Sequence, residues 1–164
     1  MGESKQDYQI EQEKYFILKK MCLRYWEQKQ KIENITKAGG GGFMTYSKSA
    51  GRYSDPTANK ALLIEQLNCD CKIIEKTINK VCADYDVKAD ERHLLKISDF
   101  LLLNVTTFHQ YYSYRSLIRR GYKIAMGINQ FYLLRHKFFY ELSKKVKFTV
   151  CSGKSDANCA KVIL

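Results

Sequence analysis

The side chains best placed to do chemistry lie in GINQFYLLRHKFFYELSKK, Gly127 to Lys145. Phe131, Leu134, Phe138, Leu142 and Val146 step by three, four, four and four, the spacing of one apolar helix face. The opposite face is expected to present Gln130, Tyr132, Leu133, Arg135, His136 and Lys137. Glutamine and arginine can make paired hydrogen bonds to adenine and guanine edges. Asn129, Gln130, Tyr132, Arg135 and His136 are therefore candidates for contact with DNA bases. Arg119, Arg120, Lys123, Lys137, Lys144 and Lys145 suit phosphate oxygens, which supply most of the salt-dependent affinity. Gly127 is the candidate turn of a helix-turn-helix, with Ile128 plugging the core beneath it and Asn129 capping the second helix. A plain helix pair with no groove to fill satisfies the same local pattern.

Other chemistry finds little support. The run Gly39 to Gly42 is not followed by Gly-Lys-Ser/Thr, so it is no phosphate-binding loop and reads as a flexible connection. No nucleophile elbow, zinc-protease motif or paired carboxylates occur. His136 as a catalytic base would have only Glu141 as a nearby acid, and a DNA-facing or solvent-facing role suits it better. The tyrosines of FHQYYSYR could stack on single-stranded bases, but half-buried rings with wet hydroxyls are the simpler expectation. Six cysteines occur without a Cys-x-x-Cys pair. Cys69 and Cys71 would stand about 200° apart on a helix and could not clamp one ion. They are expected to be reduced core or surface thiols, with no metal site and no cofactor. No basic and apolar leader opens the chain and no apolar run could span a bilayer, so a cytoplasmic protein without membrane partners is expected. The sequons at Asn34 and Asn104 are then chance matches.

Charge narrows the class further. The net charge is +11. From Arg92 to Lys147 there are eleven lysines and arginines against only Asp99 and Glu141, a local excess of nine. The first twenty residues balance four lysines with four acids. A basic C-terminal half beside a neutral N-terminal half points to a polyanionic partner on one part of the molecule. A generally lysine-rich soluble surface is the bland alternative.

The elements that would position these groups are helices. The single proline, Pro56, and one dense glycine cluster favour long uninterrupted helices over a many-turned β fold. The pattern predicts an all-α protein: an N-terminal long-helix hairpin plus a small C-terminal helical bundle carrying a helix-turn-helix-like unit. Residues 1–35 read as one N-terminal helix, with Tyr15, Leu18, Cys22, Tyr25, Lys29 and Ile32 as its stripe. Residues 36–56 read as a glycine-rich linker. Residues 57–90 form a heptad-patterned helix through Ile64, Leu67, Cys71, Ile74, Ile78, Val81 and Tyr85, entered through a Ser54 or Asp55 cap and Pro56. Its partner is expected to be the first helix folded back antiparallel, or a second copy of the chain. Residues 91–147 form the basic domain. Within it lie a helix over about 91–103 capped by Asp90, a further helix reaching towards Met126 with an irregularity at Gly121, and a last helix over 129–146. Residues 148–164 are expected to be a mostly disordered tail, with weak strand character at Phe148 to Val150.

Taken together, the residues resemble the RinA/ArpU-type phage late transcriptional regulators, small sigma-region-4-like helix-turn-helix proteins. The likeness rests on SDPTANKALLIEQL after a glycine-rich linker, and on Ile124-Ala125, Gly127-Ile128-Asn129, Phe131-Tyr132, Arg135 and Leu142-Ser143. It spans about residues 14–147, with Asp55 to Ala61 the more specific part. Both gaps around Gly127 are shorter than the family's, which predicts a tight turn. The resemblance implies a non-enzymatic protein that binds double-stranded DNA at promoters and activates late genes with RNA polymerase. An adaptor or small-terminase-like packaging protein, whose basic face meets DNA nonspecifically or an acidic protein, is the alternative.

Overall fold

The computed structural model describes residues 5–37, 56–91, 96–107, 112–124, 126–148 and 162–163. Among the described residues six α-helices carry the fold: α1 Gln12–Leu23, α2 Tyr25–Lys37, α3 Pro56–Glu91, α4 Ile97–Thr106, α5 Tyr114–Arg119 and α6 Ile128–Lys145. A 3-10 turn, Lys5–Tyr8, precedes them. Two short strands, β1 Lys147–Phe148 and β2 Val162–Ile163, pair antiparallel. The protein is all-α in class. Phe148, Val162 and Ile163, in the tail expected to be mostly disordered, lie in these paired strands; the rest of the tail, the glycine cluster and the Ser54 or Asp55 cap lie outside the described residues.

α3 is the axis on which α2, α4 and α6 pack, while α1 rests on α4 and α6. Its heptad stripe supplies the buried Cys71, Ile74, Ile78 and Val81, with Ile64, Leu67 and Tyr85 half-buried. α2 runs antiparallel to it. Tyr25 Oη donates to Glu75 at 2.6 Å, whereas Gln28, one turn later in α2, reaches Asp70, one turn earlier in α3, at 3.2 Å. Lys29 closes the same seam on Glu75 at 2.7 Å.

The N-terminal segment is not the single helix expected of residues 1–35. It breaks at Arg24, whose backbone N–H turns back to Met21 O at 3.2 Å. No proline or glycine marks the break. On one side of it Leu18, Met21 and Cys22 enter the core. On the other, Tyr25 is tied to α3 and Trp26 Nε1 donates to Thr106 of α4 at 2.9 Å. Two separate docking surfaces redirect the chain, and the redirection is a tertiary effect.

The boundary expected at residue 90 also moves. α3 runs through Asp90 to Glu91, so Asp90 caps nothing, and α4 begins only at Ile97. Lys96, at the N-cap, has no side-chain acceptor to offer. Asp86 of α3 accepts from Ser98 N at 3.0 Å instead, which serves one of the donors that a helix start leaves open. Phe100 and Phe131 meet edge-to-face at 4.7 Å, with Tyr114 beside both. This aromatic knot holds α4, α5 and α6 together.

Candidate nucleic-acid interface

α5 and α6 are the elements that carry the predicted contacts. α5 starts on Ser113, whose hydroxyl accepts from Ser116 N, a helix-capping bond. It stops after Arg119, so the expected continuation towards Met126 does not form. Gly121 N reaches Ile118 O at 3.0 Å and Tyr122 N reaches Leu117 O at 3.2 Å. With Gly121 at φ 87°, this is the paired-bond helix stop in which glycine takes the left-handed conformation. Residues 120–127 then lead to α6. The connection is longer than the tight turn expected, and Gly121 rather than Gly127 bends it. Gly127 is the N-cap of α6 at an ordinary φ of −77°. Asn129 is consequently the second helical residue and not the cap. The buried plug before α6 is Met126, with Ile128 only half-buried. Tyr114 Oη donates to Met126 O at 2.5 Å and fastens the connection to α5.

The predicted base contacts separate into two groups. Asn129 and Gln130 are exposed in the first turn of α6, and His136 is exposed two turns on. Tyr132 is half-buried against the core, its ring 5.7 Å from that of Phe131. Arg135 points inward, contrary to its expected place on the outer face. Its Nη2 donates to Tyr15 Oη at 3.1 Å, its guanidinium lies 5.3 Å from the Phe139 ring centre, and its Nε is buried without an acceptor. At about 100° per residue, Arg135 falls about 40° from Phe131, within the arc that Leu134 and Phe139 bound. Continuing the apolar stripe through Phe139 would have placed it correctly.

The phosphate candidates separate as well. Arg119, Arg120 and Lys123 are exposed around the Gly121 turn, joined by Arg115 on α5, which the sequence reading counted as charge but not as a contact. No ion pair among the described residues engages these four. Arg120 stacks on Tyr112 at 4.8 Å, which orients its guanidinium. Lys137 is half-buried, with Nζ 5.8 Å from the Tyr8 ring centre. Lys144 is drawn to Glu141 at 2.7 Å and over Tyr140 at 4.0 Å, and Lys145 donates to Thr77 Oγ1 at 2.9 Å. Glu141 also takes Lys80 at 2.9 Å. The Lys144 and Lys80 hydrogen bonds hold its carboxyl well below the ordinary 4.5, at about 2.

Three of the thiols are buried in the core. Burial pushes Cys22 and Cys82 up to about 12 and Cys71 to about 11, so they stay protonated and inert. Cys151 and Cys159 lie outside the described residues. Among the described residues no group of three metal-ligating side chains converges, and no helix is long and apolar enough to cross a membrane. Compared with known proteins, the chain matches no family model, no curated protein and no solved structure.

Proposed function

We propose that the chain is a DNA-binding transcriptional regulator of the phage late-gene type, engaging duplex DNA through α5, the Gly121 turn and the first turn of α6. The observation that carries this reading is one of charge and exposure. No acid occurs between Asp99 and Glu141, and within that span Arg115, Arg119, Arg120 and Lys123 stand exposed ahead of the open Asn129 and Gln130. Cations of this kind neutralise phosphates, and a helix start with free amide side chains is what meets base edges in a major groove. The resemblance to RinA/ArpU-type regulators supports the same reading and adds RNA polymerase as a second partner. Tyr132 and Arg135 hold α6 in place in this proposal, and Gln130 is the principal base reader.

The inward turn of Arg135 favours a second reading. With few exposed base readers, the same cationic surface could bind duplex without sequence preference, as a packaging or adaptor protein would. A homodimer is a further expectation of either reading. Since Cys71, Ile74, Ile78 and Val81 are buried within one chain, a second copy pairing along α3 would grip Leu62 and Leu63, exposed by 58% and 46%. Selection from a random duplex pool with the purified chain decides between the readings. Enrichment of one motif, lost in Gln130→Ala, supports the regulator. Retention of duplex with no enriched motif supports the packaging protein.

A further inference from the structure

We propose that residues 5–10 form a strap over the outward face of α6 that lifts when duplex DNA docks. This deepens the DNA-binding reading above and rests on it. The outward arc of α6 after its first turn consists of Leu133, His136, Lys137 and Tyr140. In an α-helix that reads a groove, this arc would continue the surface begun by Asn129 and Gln130. Here it is covered. The Tyr8 ring packs edge-on against Tyr140, with centres 5.6 Å apart at 63°. Lys137 Nζ sits 5.8 Å from the centre of Tyr8, and Lys144 Nζ 4.0 Å from that of Tyr140. Two ammonium groups thus flank an aromatic pair, and Asp7, of opposite sign, adjoins it in the chain.

The cover is light. From Gln6 to Ile10, Tyr8 and Ile10 are half-buried, while Gln6, Asp7 and Gln9 are exposed. An open groove of about 390 Å³ separates the segment from His136 and Phe139. Segments with little buried apolar area open at the low end of a protein's local stability. A ring face is a weaker partner for an ammonium than a phosphate, whose hydrogen bonds are charge-assisted. A duplex seated on α5 and the first turn of α6 therefore competes with Tyr8 for Lys137, and lifting the strap lengthens the surface that α6 presents.

The test uses the full chain and its Tyr8→Ala and Ile10→Ser variants, titrated with a random-sequence duplex at low salt. Both variants are expected to bind several-fold tighter than the parent, and the gain should vanish in Tyr8→Ala/Lys137→Gln. Hydrogen exchange in residues 5–10 of the parent should speed up when duplex is added. Duplex binding by the parent that neither variant improves overturns the strap and leaves the DNA-binding reading standing. A gain that survives Lys137→Gln, or slower exchange in residues 5–10 on binding, overturns it likewise. Absence of duplex binding in parent and variants overturns both.

Discussion

Arg135 is held by aromatic side chains of two helices, the hydroxyl of Tyr15 in α1 and the ring of Phe139 in α6. Removing it strips packing from a long stem as well as a charge, and leaves Tyr15 without that donor. Arg135→Ala is expected to lower stability by about 1–3 kcal/mol, seen as a shift in the urea midpoint. Gln130 is exposed, so Gln130→Ala should stay within about 0.5 kcal/mol of the parent in stability. It should lose about 1–3 kcal/mol of discrimination on a selected duplex. If Arg135→Ala loses sequence preference at full stability, the inward role is wrong. Glu141 makes a separate prediction. Its folded-state pKa is lowered to about 2 from 4.5 by the hydrogen bonds of Lys144 and Lys80. Its stabilising contribution is therefore complete above about pH 5 and lost as pH falls towards 2. Glu141→Gln should be less stable than the parent at pH 7, with the difference shrinking through that window. Denaturation at pH 7, 4 and 2.5 measures it. The effect should be small, because Lys80 and Lys144 are well exposed and surface pairs are weak.

At the scale of elements, the short α5 depends on how it begins and ends. Gly121 has open space around the position a Cβ would take, so substitution there meets backbone strain and no crowding. At φ 87°, Gly121→Ala should cost about 1–2 kcal/mol, read from thermal unfolding. The same change at Gly127, which has an ordinary φ and equally open space, should be much milder. A reversed ranking would show that the helix stop at Gly121 does not form. This pair also explains why the sequence alone points to the wrong glycine. Two glycines flank the segment 122–126, and both are plausible stops. Gly121 takes the left-handed conformation, closed by its own and Tyr122's backbone bonds to α5, while Gly127 heads α6 at an ordinary φ.

At the scale of the whole molecule, charge decides how a polyanion is met. Arg115, Arg119 and Lys123 are exposed and enter no ion pair among the described residues, whereas Lys144 is already drawn to Glu141 and Lys145 to Thr77. Replacing any one of the first three with alanine should reduce the slope of log affinity against log salt by about 1. Lys144→Ala should change it less. Duplex titrations across a range of salt give the slopes, and equal slopes for all four variants would mean that the polyanion is gripped elsewhere.

By itself the sequence determined the helical class and most of the apolar stripe by which α3 packs, while leaving the partner of that stripe open between the first helix and a second copy. Those features follow from the 3.6-residue period of apolar side chains, which local spacing records in full. The basic bias of the C-terminal half was equally legible, because charge is additive along a chain. Only the structure shows the break at Arg24, the late start of α4, the turn at Gly121 and the inward course of Arg135. The turn closes on its own helix, whereas the others are accompanied by what a distant segment offers: Glu75 and Thr106 to the start of α2, Asp86 to the start of α4, Tyr15 to a guanidinium. A long polar side chain at the margin of an apolar stripe can face either way, and only a hydrogen-bonding partner across the core chooses.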